Sequence, residues 1–158
     1  MTVEKKKLAR RGVKILFYLY IVVIFYFVLL SERYGRSTGY DTSHVNLVLF
    51  KEINRFWRYR HLLSTEAVVT NLFGNIFAFS PFVFMIPIVI NKKKAFFRAV
   101  FATFFFSLLI ETSQLIMKVG VFDVDDLLMN TIGGLIGYIG YRIMVAIYDV
   151  YDRKRAAK

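Results

Sequence analysis

The sequence predicts an all-α, polytopic membrane protein, built as a four-helix transmembrane bundle with an extracellular amphipathic loop helix. Hydrophobic residues make up 57% of the 158-residue chain, which includes 17 Phe and 10 Tyr, far more than a soluble core of this size can bury. Four apolar stretches are each long enough to cross a hydrocarbon core of about 30 Å as a helix. Basic residues flank these stretches, as topology signals do.

The first predicted span covers residues 13–30 and follows a basic leader, residues 1–12. At about 1.5 Å per residue, this stretch is long enough to cross the hydrocarbon core. A basic leader before an apolar stretch is also typical of a cleaved signal peptide, but no small-residue cleavage pattern follows Leu30. The sequence therefore favours a retained first helix.

Residues 31–66 form a predicted outer loop that is polar at first and amphipathic later. Apolar positions recur at helical spacing from Val45 to Phe56, beside basic side chains, which predicts the loop helix. Trp57 and Tyr59 suit a membrane interface. The helix is interpreted as a surface-lying linker, a lid over a pocket or a contact for anionic lipid, and its position leaves these three roles open.

Three further spans complete the predicted bundle. The second covers residues 67–90 and contains Pro81, which removes one helical hydrogen bond and predicts a kink. The third covers residues 95–117 and the fourth covers residues 127–148. The chain closes with a short basic tail, residues 149–158, so that each end of the bundle region carries basic residues.

Lys and Arg are distributed unequally between the two sides of the predicted bundle. Fifteen of the 22 lie at the N-terminus, between the second and third spans, or near the C-terminus, and seven lie in the other two loops. The positive-inside rule therefore predicts cytoplasmic N- and C-termini. The outer loop and the acidic loop at residues 118–126 would then face outward.

The fourth span and the loop before it place polar and small residues on one helical face. Asp126, Asn130, Gly133, Gly137 and Gly140 follow one another at intervals of three or four residues. Glycines at this spacing allow another helix to approach closely. We therefore predict a packing face, used either within the chain or between copies in a homo-oligomer, with both polar residues turned away from lipid.

The second and third spans carry similar polar faces near their outer ends. Ionisable and amide groups in a bilayer are costly unless they face the bundle interior or a wet cavity. The predicted topology brings the polar faces of the second, third and fourth spans to one depth. The predicted polar pocket comprises seven side chains: Glu111, Asp126, Gln114, Asn130, Asn71, Asn75 and Asp123.

A purely structural interpretation competes with this binding pocket. Amide groups can join helices by hydrogen bonds, each worth about 0.6 to 2 kcal/mol. Carboxylates have a higher desolvation cost, which favours a functional role for Glu111 and Asp126. Asp123 fits equally well as the N-cap of the fourth helix, with Asp125 and Asp126 in its first turn.

The residue types give little support to catalysis. The sequence has no cysteine, its two histidines, His44 and His61, lie in the outer loop, and no recognisable catalytic constellation appears. Glu111, Asp123 and Asp126 are candidates for a hard divalent cation, although their spacing matches no known metal-binding loop. No cofactor is predicted. Nucleic-acid binding is disfavoured because the basic clusters flank spans.

Three blocks of residues together resemble the VanZ-like family. The first is NLFGN at 71–75 followed by Pro81, the second is ETSQ at 111–114, and the third is FDVDDLLMNTIGG at 122–134. They match the family's NxxGN segment before a proline, its ExxQ pair and its D-[IV]-D-D-x-x-x-N-T-x-G-[AG] run. A fourth block, NLVLFK at 46–51, is similar to the family's N-L-I-P-F stretch but has leucine where proline is usual.

The resemblance covers residues 44–142, and residues 13–148 are predicted to form one VanZ-like transmembrane domain. It implies a place in the cell membrane of a bacterium and an association with resistance to teicoplanin and related lipoglycopeptides. The predicted function is binding of a lipid-linked or amphiphilic envelope molecule, or of the antibiotic, in the outer polar pocket, with membrane lipids as further partners. An intramembrane enzyme using the carboxylate pair or a metal, and an ion-coupled transporter subunit, are the alternatives.

Overall fold

The computed structural model describes residues 3–30, 45–90 and 95–156. These residues are predominantly helical, and their two short strands pair with each other. In chain order the elements are α1 (Val3–Phe25) with a π-helical continuation (Tyr26–Leu30), β1 (Val45–Asn46), α2 (Lys51–Arg58), α3 (Thr65–Val89), α4 (Phe96–Met117), β2 (Phe122–Asp123) and α5 (Val124–Ala156).

Four of these helices, α1, α3, α4 and α5, are long and apolar enough to cross a membrane. The predicted all-α class with four transmembrane helices is thereby confirmed. Large apolar side chains of α1, such as Leu16, Leu19 and Val22, are exposed on the outside of the bundle. Such a surface is unfavourable in water and is the surface expected to face lipid tails.

Helices α1, α3 and α5 begin before the spans predicted from hydropathy, whereas α4 nearly coincides with its predicted span. Backbone hydrogen bonding and not apolar content decides where a helix begins and ends. Helix α3 begins at Thr65, where the Ser64 Oγ accepts a hydrogen bond of 3.1 Å from the Ala67 N–H. Helix α5 begins at Val124 and runs to Ala156, through most of the predicted basic tail. The first part of the predicted outer loop, residues 31–44, and the basic turn at residues 91–94 lie outside the described residues.

The loop helix is shorter than the apolar spacing predicts. Helix α2 covers only Lys51–Arg58, whereas Val45 belongs to β1 and pairs in parallel with Phe122 of β2. Phe50, directly before the helix, has a left-handed backbone conformation with φ 63°. A residue in this conformation interrupts a right-handed helix, so the predicted helical run from Val45 is wrong in its first half.

Helices α3 and α5 pack closely because two glycines remove the side chains between them. A Cβ atom built on Gly133 would lie 2.5 Å from the Ile76 carbonyl oxygen, and one built on Gly137 would overlap the Ser80 carbonyl oxygen. At Gly140 the nearest atom to such a Cβ is a Phe84 ring carbon at 3.6 Å, which is ordinary contact. The face of α5 at Gly133 and Gly137 is therefore occupied by α3 of the same chain.

Helix α3 continues through both of its prolines, Pro81 and Pro87. The hydroxyl of Ser80 donates to the Ile76 carbonyl at 2.7 Å and also lies 3.0 Å from the Gly133 carbonyl on α5. Two residues further along α3, the Phe82 ring stacks on the Phe106 ring of α4 with a centroid distance of 4.7 Å. Polar and aromatic contacts thus hold α3 between α4 and α5.

Candidate functional site

Acidic residues collect at one end of the bundle, where α4 ends and α5 begins. We call this the acidic end and define it by four residues: Glu111, Asp123, Asp125 and Asp126. The strand pair β1–β2 lies at the same end, and α2 contacts both α3 and α5 there. Residues far apart in sequence are thereby assembled around the carboxylates.

Three predicted site residues meet at the centre of the acidic end. Glu111 on α4 is only 3% exposed, and its Oε2 accepts a hydrogen bond of 3.1 Å from the Asp123 N–H. Its carboxylate also lies close enough to Asp126 on α5 for the two like charges to interact. The Asp126 carboxylate is hydrogen-bonded by the Asn75 side chain of α3. The predicted convergence of faces on α3, α4 and α5 is present at these residues.

Asp123 is the N-cap of α5, as one of its two predicted roles requires. Its Oδ1 accepts a hydrogen bond of 2.8 Å from the Asp125 N–H, two residues along the chain. The same oxygen accepts a hydrogen bond of 3.0 Å from Nδ2 of Asn46 on β1. Burial raises the pKa of the Asp123 carboxyl above its ordinary value, although both hydrogen bonds act in the opposite direction.

Asp125 was predicted only as a first-turn residue of α5, and the structure gives it a larger role. Its side chain is 1% exposed. Oδ1 accepts from the Phe50 N–H, and Oδ2 accepts from the N–H groups of Glu52 at 2.8 Å and Ile53 at 3.3 Å. The first N–H groups of a helix have no partner within it, so this one carboxylate caps α2 from another helix.

Asn46 is a second residue that the site prediction omitted. Its Nδ2 binds Asp123, as described, and its Oδ1 accepts a hydrogen bond of 3.3 Å from the Val48 N–H. Asn46 and Asp125 together fix residues 45–53 over the start of α5. Two sequence signals could have indicated this arrangement, although neither was used: three carboxylates within four residues exceed what one N-cap requires, and Asn46 opens the fourth family-like block.

The remaining predicted residues lie around this centre or outside it. Asn130 is 2% exposed and lies one helical turn after Asp126. Its Nδ2 donates a hydrogen bond of 2.7 Å to the Ser107 hydroxyl, and its Oδ1 has no hydrogen-bond partner among the described residues. Nε2 of Gln114 donates a hydrogen bond of 3.3 Å to the Val28 carbonyl in the π-helical continuation of α1. Asn71 is exposed and donates to the Ala67 carbonyl of its own helix at 2.7 Å, so it does not join the cluster.

The chemistry available at the acidic end follows from these contacts. Within residues 3–30, 45–90 and 95–156, no group of three or more His, Cys, Asp or Glu side chains is arranged to hold a metal ion. Asp123 and Asp125 already accept hydrogen bonds from backbone N–H groups. Glu111 and Asp126 present buried carboxyl oxygens, which suit a partner with hydrogen-bond donors or positive charge.

One comparison with known proteins gives a match. A model of the family described as VanZ/LLP1 matches residues 17–145. This range begins within α1, ends within α5 and contains the whole acidic end. No curated protein and no solved structure matches the chain.

Proposed function

The chain belongs to the VanZ/LLP1 family, and from this premise we propose that its acidic end binds the head group of an amphiphilic molecule of the cell envelope. The molecule is either a lipid-linked envelope component or a lipoglycopeptide such as teicoplanin. Binding lowers the susceptibility of a bacterial cell to teicoplanin by changing the access of the drug to its target.

A buried carboxylate pair inside helices of membrane-spanning length carries this proposal. Glu111 is almost fully buried within α4 and interacts with Asp126 of α5. Uncharged side chains join helices at a lower desolvation cost than two like charges do. The pair is therefore better explained by a bound group than by helix packing.

The charges also favour one class of head group. Two carboxylates repel phosphate and attract ammonium, hydroxyl and amide N–H groups. Sugars and peptides supply such donors, and both occur in envelope precursors and in glycopeptide antibiotics. Exposed apolar side chains on the outer surfaces of the helices, such as Phe77 and Leu109, offer contacts for an acyl chain.

The proposal requires the acidic end to face outward in a bacterial cell membrane, with both termini in the cytoplasm. Because the chain has no cysteine, single cysteines can report this orientation. We expect a membrane-impermeant maleimide to label Asn54→Cys on α2 in intact cells, and to label Asp152→Cys on α5 only after lysis. Both positions are exposed. If Asp152→Cys but not Asn54→Cys were labelled in intact cells, the orientation would be the opposite of the proposed one.

Removing the charge of either carboxylate tests the binding role. We expect Glu111→Gln and Asp126→Asn each to return the teicoplanin inhibitory concentration of expressing cells to that of cells without the protein, since each removes one of the two carboxylates proposed to bind the head group. Asp152→Asn, exposed near the far end of α5, is the matched control and should retain full resistance. Immunoblots of membrane fractions confirm equal insertion. Full resistance in both site variants would contradict the proposal.

A further inference from the structure

A basic, partly apolar surface lies beside the acidic end and has no role in the proposed binding of an envelope molecule. It consists of residues 47–60, which we call the α2 surface. Leu47, Val48, Leu49 and Phe50 are consecutive exposed apolar residues, with Leu47 68% exposed. Trp57 on α2 is 59% exposed. Four adjacent exposed apolar residues are unusual on a surface that meets water alone.

The α2 surface has an excess of positive charge. Residues 47–60 contain four cations, Lys51, Arg55, Arg58 and Arg60, and one carboxylate, Glu52. Lys51 also interacts electrostatically with Asp123 at the acidic end. Glu52 pairs with Arg55 through an Nη2–Oε2 contact of 2.5 Å. Arg60 donates to the Trp57 carbonyl at 2.6 Å and lies 4.6 Å from the centre of the Trp57 ring, and neither contact neutralises its charge.

The position of α2 relative to the bundle is fixed. Asp125 caps the first turn of α2, and the half-buried Ile53 and Phe56 lie on the side of α2 away from its exposed basic residues. Helices α3, α4 and α5 are of membrane-spanning length, so the end at which α2 lies is at the boundary between membrane and water. The cations are therefore held at the depth of lipid head groups.

We propose that the α2 surface binds anionic phospholipid head groups of the adjoining leaflet. Apolar residues 47–50 and Trp57 enter the boundary between head groups and acyl chains, and Lys51, Arg58 and Arg60 contact lipid phosphates. Each basic residue near an anionic surface raises local binding about fivefold. The surface thus collects anionic lipid beside a site that itself repels phosphate. The inference requires neither the proposed ligand nor the proposed orientation.

Trp57 is the single tryptophan of the chain and lies within the α2 surface, so its fluorescence reports the lipids around it. The full-length protein is reconstituted into phosphatidylcholine vesicles that contain phosphatidylglycerol. Either the phosphatidylglycerol or an equal mole fraction of the phosphatidylcholine carries dibrominated acyl chains, which quench tryptophan on contact. We expect a several-fold stronger local enrichment of brominated phosphatidylglycerol than of brominated phosphatidylcholine, and we expect salt to weaken the preference. Equal quenching by both lipids overturns the inference.

A charge-matched pair of variants separates the α2 surface from the general charge of the protein. The double variant Lys51→Gln, Arg58→Gln removes two of the cations that attract the anionic lipid and should lose most of the several-fold preference. The control Arg153→Gln, Lys154→Gln alters two exposed cations near the other end of α5 and should retain the preference. Circular dichroism verifies folding of both. Equal loss in both variants overturns the inference.

Discussion

Gly137→Ala is expected to prevent the close packing of α3 against α5 and to destabilise the whole bundle. The new methyl group would occupy the position of the Ser80 carbonyl oxygen, which is backbone and cannot rotate away. Overpacking usually costs about 1 to 3 kcal/mol, and a backbone obstacle places this substitution at or above the upper end. Thermal denaturation of purified protein in detergent, followed by size-exclusion chromatography, should show a much lower midpoint and a small monodisperse fraction.

Gly140→Ala is the matched control, three residues further along the same helix. A methyl group there meets the Phe84 ring at 3.6 Å, and alanine is favoured over glycine in a helix interior by about 1 kcal/mol. We therefore expect unchanged or slightly higher stability. If both variants unfold at the same temperature as the unaltered protein, the close contact between α3 and α5 is contradicted.

Asp125→Asn is expected to release α2 while leaving the membrane-spanning helices assembled. The carboxylate accepts hydrogen bonds from three backbone N–H groups. An asparagine amide has only one acceptor oxygen, and its NH₂ group would face the backbone N–H groups that the second carboxylate oxygen had bound. Hydrogen bonds to a charged group contribute about 1.5 to 3 kcal/mol each, so a net loss of about 3 kcal/mol is a conservative expectation. Hydrogen–deuterium exchange at the amides of Phe50, Glu52 and Ile53 should then become about 100-fold faster.

Asp126→Asn provides the control for this experiment, because the two residues are adjacent on α5 and the same substitution is made at each. The Asp126 carboxylate is bound by Asn75 and accepts none of the three α2 amides that Asp125 binds. Its removal should leave exchange in α2 near that of the unaltered protein. Equal protection of α2 in both variants would show that Asp125 does not hold the helix.

Hydropathy and helical spacing predicted the parts of the molecule that the bilayer itself dictates. A lipid core requires long apolar helices, and it forces polar side chains such as Glu111 and Asp126 toward other helices, so their faces were readable from intervals of three and four. Asn71 shows the limit of that argument. It shares a face with Asn75, but its amide donates a hydrogen bond to the Ala67 carbonyl of its own helix and lies outside the cluster.

The residues missed at the acidic end depend on contacts between distant parts of the chain. Asn46 binds Asp123 across 77 positions, and Asp125 binds the Glu52 N–H across 73. No periodic pattern encodes such a pairing, because each contact joins two elements that lie far apart in the sequence. The loop helix begins later than predicted for the same reason, since the left-handed Phe50 and the Asp125 cap decide where α2 begins.

The parallel pairing of β1 with β2 imposes an order on biogenesis. Phe122 is synthesised only after α3 and α4, so Val45 has no partner strand while the first three membrane helices enter the bilayer. Closing a contact over so long a stretch of chain is also slow compared with forming a helix. Residues 45–53 therefore dock only after β2 has been synthesised, and a chain truncated before β2 would insert helices without completing its acidic end.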